Sequence, residues 1–293
     1  MEPLPRDLTA RPFSVQEAAE RGIPVSRLRR RGLRSPFPGV RMADGAVDDI
    51  EALCRAYAPR MTEGQYFSHL TAARMWGMWL PTRFNPDELL DVTVTDTARA
   101  PRLPGVRGHH VDPDRAAATT LRGLPVATPL ETVRTLAPLL GLEALIVLLD
   151  GVRSRTGRLV SEEQLLFMLA KHRGQRGVRK LRAAFEASRP GVDSPRETTL
   201  RRGVVRAGLP EPEVNAIISR PGEPLRLGDL VLRAWRVVIE YEGDHHQSDR
   251  TTYVGDIARF EQLADDWSFV RVTREHLRDM PSVIARIVRA RRH

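Results

Sequence analysis

The sequence predicts a mixed α/β chain in which helices and strands interleave, and three stretches carry that reading. Residues 225–242 hold two apolar β-runs, 225–232 and 236–242, joined by a tight connection at 233–235. Residues 128–187 repeat apolar positions at helical spacing. Residues 14–42 offer two short helices around a glycine, followed by a Pro/Gly-punctuated hairpin. A length of 293 residues suggests two or three domains, and a hydrophobic content of 41% is enough for real cores. We read three: a winged helix-turn-helix-like part over 1–60, a mixed α/β and helical region over 61–190, and an α/β domain over 191–293.

Composition narrows the chemistry. The single cysteine, Cys54, excludes an intramolecular disulfide framework and a cysteine-based zinc module. No apolar N-terminal signal segment is present, and no apolar run reaches the roughly 18–20 residues that span a bilayer. The longest stretch, 136–149, is broken by Pro138, Gly141 and Glu143. A cytoplasmic protein without a membrane partner is expected. The formal net charge of +9 favours an anionic partner, nucleic acid first. That signal is tempered by a strong skew, because lysine occurs only at Lys171 and Lys180 and arginine supplies the rest.

At the N-terminus, Ser14 and Glu17 form a capping-box pattern opening a helix that Gly22 is placed to end. A second helix over 25–31 carries Arg27, Arg29, Arg30 and Arg31, and Leu33–Met42 suits a small wing. Two readings stand: the arginines line a DNA-recognition helix, or they face water on a capping subdomain. Helices are expected over 46–58 and 66–79, and strands over 91–95, 106–111 and 124–127. His69 reads as a packed or capping histidine. His109 and His110, with Asp112, read as a strand-edge pair without a metal role. Helices follow over 128–136, 142–149, 161–172 and 176–187. The basic run 171–180 is either a phosphate contact or a solvated connection, and residues 188–193 are the best linker.

The C-terminal domain carries the chemistry. Alternation along 236–242 points Glu240 and Glu242 the same way as Val238. A hairpin pivoting between Ala234 and Trp235 sets Asp229 across from Glu240, where opposed Cβ atoms lie roughly 4.5–5.5 Å apart. Two readings of these carboxylates are open. They lie on a solvated strand face, or they grip one hard cation of the Mg²⁺ or Mn²⁺ class. Ile239, Tyr241 and the valine-rich flanks favour the second. Ser194, Pro195 and Glu197 form another capping box, yet Glu197 also shares the inward stripe of its helix with Leu200 and Val204.

Asp229, then Glu240 and Glu242, then Gly243 with His245 and His246, resembles the PD-(D/E)xK nuclease superfamily, and within it the very-short-patch-repair-like endonuclease domain. The expected element order, α-β-β-β-α-β over about the last hundred residues with a second helix at 252–264, is that of its restriction-endonuclease-like core. The resemblance implies metal-dependent phosphodiester hydrolysis, with DNA the first expected substrate. It assigns Asp229, Glu240 and Glu242 to the metal, Glu197 and His246 to orienting water, and His245 to the nucleic acid; Asp256 and Arg259 recur beside such sites. Two departures stand out: Glu242 occupies the superfamily's lysine position, and the cysteines of the repair enzymes are missing. The N-terminal stretch, with S-V-x-E-A-x-x-x-G, P-G-V and Ser68–Ala73, resembles the winged-helix region of abortive-infection-type antitoxins. That likeness implies a DNA-binding role and a protein partner such as a toxin. A non-catalytic DNA-binding regulator built on a nuclease-like scaffold is the rival reading.

Overall fold

The computed structural model describes residues 4–29, 32–43, 48–95, 99–242 and 265–291. Over these residues the chain is mixed α/β, with three sheets and eleven helices. It divides into two compact units, Met1–Ala144 with Glu162–Arg182, and Leu145–Ser161 with Ala183–His293.

The first unit begins with α1 (Arg6–Thr9), β1 (Phe13–Ser14), α2 (Val15–Glu20), α3 (Val25–Leu28), β2 (Leu33–Arg34) and β3 (Val40–Ala43). Ser14 Oγ accepts the Glu17 N–H at 2.9 Å, so the capping pattern starts α2. Gly22, at φ +73°, turns the chain after it. The arginine helix is shorter than its sequence suggests: α3 stops at Leu28, with Arg29 as its C-cap. Arg30 and Arg31 lie outside the described residues. Strand β3 pairs antiparallel with both β1 and β2, giving the order β1-β3-β2. Leu8, Phe13, Ala18 and Leu28 form a small core beneath it.

The same unit continues through α4 (Ile50–Tyr57), β4 (Gln65–Phe67), α5 (His69–Met75), β5 (Leu90–Val94), β6 (Arg102–Leu103), β7 (Val106–His110), β8 (Ala118–Leu121), β9 (Leu124–Ala127) and α6 (Pro129–Leu136). These six strands make one sheet in the order β6-β7-β5-β4-β9-β8. The helix expected from residue 66 begins instead at His69. Tyr66 and Phe67 are taken up as sheet partners of Thr93 and Val92, and burial in the sheet outweighs their helical spacing. Helices α7 (Leu142–Val152), α8 (Glu162–Lys171) and α9 (Val178–Ala187) follow, in keeping with the apolar spacing of that region.

The second unit carries α10 (Pro195–Arg206), β10 (Glu213–Ile217), β11 (Leu227–Leu232), β12 (Val237–Glu242), β13 (Ser268–Thr273) and α11 (Met280–Ala290). Its sheet order is β10-β11-β12-β13; the first two pairings are antiparallel and β12–β13 is parallel. The helix expected over 252–264, and with it Tyr253, Asp256 and Arg259, lies outside the described residues. Each face of the sheet has its own core. Leu230, Leu232, Val237, Ile239, Val270 and Val272 meet Leu200 and Val204 of α10 and Val283 and Ile287 of α11. Val231, Val238, Ile218 and Trp267 pack on the other face.

One buried ion pair fixes α10 against the end of α7. Arg201 and Asp150 are both 0% exposed, and Arg201 Nη2 donates to Asp150 Oδ2 at 3.0 Å. Asp150 also accepts from Thr198 Oγ1 at 2.9 Å and from the Arg189 N–H at 2.7 Å. Arg201 reaches on to Glu211 at 2.7 Å and to the Ala187 carbonyl at 3.0 Å. Burial pushes the Asp150 carboxyl above its ordinary pKa, against the pull of Arg201 and the donors. The segment 188–193 is therefore tied down at several points; Val192 is fully buried, and Gly191 donates to the Arg153 carbonyl at 3.2 Å.

Removing one partner of such a pair leaves the other charged and dry, which typically costs about 3–5 kcal/mol. Asp150→Ala should lose stability of that order in urea unfolding. Asp150→Leu combined with Arg201→Met should lose less than Asp150→Ala alone. A double variant as damaged as the sum of its singles would mean that the two side chains do not act as a pair.

Candidate functional site

The hairpin of β11 and β12 turns at Arg233–Trp235, where Arg236 takes a left-handed conformation at φ +52°. The pairs Leu232↔Val237, Val231↔Val238 and Leu230↔Ile239 continue, by register, to Asp229 opposite Glu240. The backbone ladder ends one step short of that pair. In its place Asp229 Oδ2 accepts the Tyr241 N–H at 2.9 Å, so a carboxylate takes the position of a strand carbonyl.

The other neighbour of Asp229 is interrupted at the same level. Strand β10 pairs Val214 with Leu230 and Ala216 with Gly228, and between them Asn215 is left-handed at φ +45°. Asparagine tolerates that region better than most side chains, and its Nδ2 is held by the Gly191 carbonyl at 2.7 Å. The β10–β11 ladder thus skips the row of Asp229, and the β11–β12 ladder stops before it. The alternation of β11 and β12 gave the opposed carboxylates; the bend of β10 at Asn215 has no comparable mark in the sequence.

Glu197 stands at the start of α10. Ser194 Oγ accepts its N–H at 3.2 Å, and its own Oε2 accepts the Asp193 N–H at 3.1 Å. The cap is made, yet the carboxyl is 6% exposed. Burial first, and the negative charge of Asp229 second, push its pKa up to about 7. Capping and proximity to Asp229 coexist in one side chain.

Glu242 and Arg271 form a half-exposed ion pair, Oε1 to Nε at 3.2 Å. Two carboxylates and backbone carbonyls are the donors a Mg²⁺-class ion takes, since such ions bind through one or two carboxylates and complete their shell with water or phosphate. Asp229 and Glu240 fit that donor set. Among the described residues no three His, Cys, Asp or Glu side chains are gathered closely enough to cage an ion. Gly243, His245 and His246 lie outside the described residues. In the first unit, Arg27 is half-buried with no hydrogen-bond partner at Nε among the described residues, and Arg29 is exposed.

A second polar cluster, on the six-stranded sheet, escaped the sequence reading. His109 Nε2 meets Asp91 Oδ1 at 2.8 Å, and Asp112 pairs instead with Arg115. The rings of His69 and His109 stack at 3.8 Å. Thr93 Oγ1 donates to Ser68 Oγ at 2.7 Å, which leaves the Ser68 hydroxyl to donate to His69 Nδ1 at 2.9 Å. Burial, then the neighbouring His109, depress the pKa of His69 to about 4, so its ring is neutral at pH 7. The link from His109 to Asp91 spans 18 positions and becomes visible only once β5 and β7 are paired.

No protein-family model matches the chain, and no curated protein does.

A raised carboxyl pKa favours the folded state most below the ordinary value of 4.5, and that stability is lost as pH rises through about 7. Glu197→Gln keeps an oxygen for the Asp193 N–H and removes the charge. It should flatten the fall between those pH values and gain on the order of 2–3 kcal/mol over the parent at pH 8. Parallel stability–pH curves for the two proteins would remove Asp229 and burial as the forces acting on Glu197.

Proposed function

We propose that the chain is a metal-dependent endonuclease acting on nucleic-acid phosphodiesters, DNA first, with residues 191–293 forming a PD-(D/E)xK-type, restriction-endonuclease-like domain. The observation that carries this reading is the interruption of both ladders at Asp229, whose carboxylate accepts the Tyr241 N–H of β12 and lies near enough to Glu197 to help raise its pKa. Strand pairing is the cheapest way to satisfy a sheet's backbone, and a fold gains nothing by giving it up around an acid. The sheet order, with one parallel strand beside an antiparallel hairpin, is compatible with that domain type.

Asp229 and Glu240 would hold a Mg²⁺ or Mn²⁺ ion. Bound there, an ion of this class supplies stabilisation of the charge that builds on a phosphoryl oxygen. Glu197 titrates near neutrality, so its carboxylate can take a proton from an attacking water and return it. Asp229 Oδ2 accepts the Tyr241 N–H, which sets its carboxylate against β12. Glu242, held by Arg271, stands at the edge of this group.

The N-terminal elements support a nucleic-acid-binding role. Helices α2 and α3 followed by the β2–β3 hairpin run in winged-helix order, and Arg29 is exposed at the end of α3. We infer that this part positions the chain on DNA, in a cytoplasmic protein that also accepts a protein partner such as a toxin. No described helix is long and apolar enough to cross a membrane. A second reading, a regulator that binds DNA without cutting it, is favoured by one observation: Glu242 already has a cationic partner in Arg271.

Plasmid cleavage by the purified chain with millimolar Mg²⁺ or Mn²⁺ separates the two. Under the nuclease reading the parent cuts, and Asp229→Asn loses cutting by at least about a hundredfold while DNA affinity is kept or slightly raised, because one repelling carboxylate is gone. A parent that binds DNA and never cuts it with either metal establishes the regulator.

A further inference from the structure

Rows of side chains cross the second unit's sheet, and one of them is charged. Strand β13 lies parallel to β12 with Val238 beside Phe269, Glu240 beside Arg271, and Glu242 beside Thr273. Val270 and Val272 face α10 and α11, whereas Phe269 joins the cluster of Val231 and Val238. Arg271, which alternates with the two valines, therefore projects on the face of Phe269, Val238 and Glu240. Neighbouring strands are about 4.8 Å apart, so its stem runs directly beside that of Glu240.

Charge makes the arrangement informative. A phosphodiester approaching Asp229, Glu240 and Glu242 is an anion approaching three carboxylates. One divalent ion on Asp229 and Glu240 only neutralises those two, and the phosphate's own charge grows during attack. Arg271 adds a guanidinium to the same row from the adjacent strand. Its Nε carries the contact with Glu242. A guanidinium has five N–H donors in a fixed fork that matches phosphate oxygens. A half-exposed ion pair of this kind is worth little, about 0–1 kcal/mol, and is readily exchanged for a phosphate.

We propose that Arg271 is a catalytic residue of this site, contacting the scissile phosphate from β13 in exchange for its contact with Glu242. The proposal rests on the nuclease reading above. Strand neighbours, not sequence neighbours, define the position: Arg271 is 31 residues from Glu240 in the chain and adjacent to it in the sheet.

Single-turnover plasmid cleavage with Mn²⁺ tests it on the full chain, for the parent, Arg271→Ala and Arg271→Lys, each checked for an unchanged melting midpoint. Arg271→Ala should lose about 10²–10³ in rate, the usual cost of one transition-state donor. Arg271→Lys should recover to within roughly tenfold of the parent, because a lysine restores the charge without the fork. Millimolar guanidinium chloride, well below denaturing concentrations, should raise the rate of Arg271→Ala and leave the parent unchanged. Parental cleavage by Arg271→Ala overturns the assignment and leaves the nuclease reading standing. Loss of cleavage that neither lysine nor guanidinium restores makes Arg271 a packing residue, which also overturns it. If Arg271→Ala does not fold, the lysine variant decides alone, and a loss beyond about a hundredfold in a folded Arg271→Lys counts against the proposal. A parent that cuts nothing removes the nuclease reading, and this assignment with it.

Discussion

The buried pair of Arg201 and Asp150 is the constraint on which the placement of α10 and Glu197 in the second unit depends. A guanidinium and a carboxylate taken wholly out of water tolerate little displacement, because each lost contact leaves a charge without compensation. Asp150 is anchored in α7 and collects donors from the 188–193 segment and from two positions of α10. The first turn of α10 is thereby located on both sides, by Asp150 through Thr198 and by the Asp193 N–H that Glu197 accepts. Glu197 is consequently held in a buried position near Asp229, and its raised pKa reflects that burial first and Asp229 second. A stretch that reads as a linker, rich in turn formers, serves as the seat of the helix that follows.

Much of the sheet was legible because its signals are local. The register of β11 on β12 follows from where the hairpin turns, and alternation then fixes which residues share a face. Ser14 and Ser194 each cap the helix their sequence marks. What was not legible is what depends on neighbours distant in the chain. Tyr66 and Phe67 carry a helical spacing and become strand because Val92 and Thr93 offer them a ladder. His109 sits near Asp112 in sequence and bonds Asp91 across a parallel pair. The bend at Asn215, which frees the row of Asp229, is a property of three strands together. Arg271 belongs to the same class, since nothing within β13 marks it out from other strand arginines.

The two units treat buried polarity differently. In the six-stranded sheet, Ser68, His69, Thr93, His109 and Asp91 form a chain of hydrogen bonds and one ring stack, with Asp91 Oδ2 lacking a partner among the described residues. His69 holds a left-handed backbone at φ +47° at the first residue of α5. A conformation of that kind costs on the order of 1–3 kcal/mol, and persists only where its surroundings over-determine it. Here the Ser68 hydroxyl and the His109 ring do so. The second unit gathers its most buried polar groups instead around the Arg201–Asp150 pair, between two helices.

The bond from Asp229 to the Tyr241 N–H has a kinetic side. An amide inside a ladder is released only when strands separate, a cooperative event on the scale of a supersecondary unit. The Tyr241 amide is covered by one side chain, and a turn about the Asp229 χ1 bond uncovers it while the pairs from Leu230 to Leu232 stay closed. Side-chain rotation of this kind takes picoseconds to nanoseconds where it is unhindered. The Tyr241 amide can therefore be uncovered and covered again far faster than the strands separate, while the paired part of the sheet stays in place.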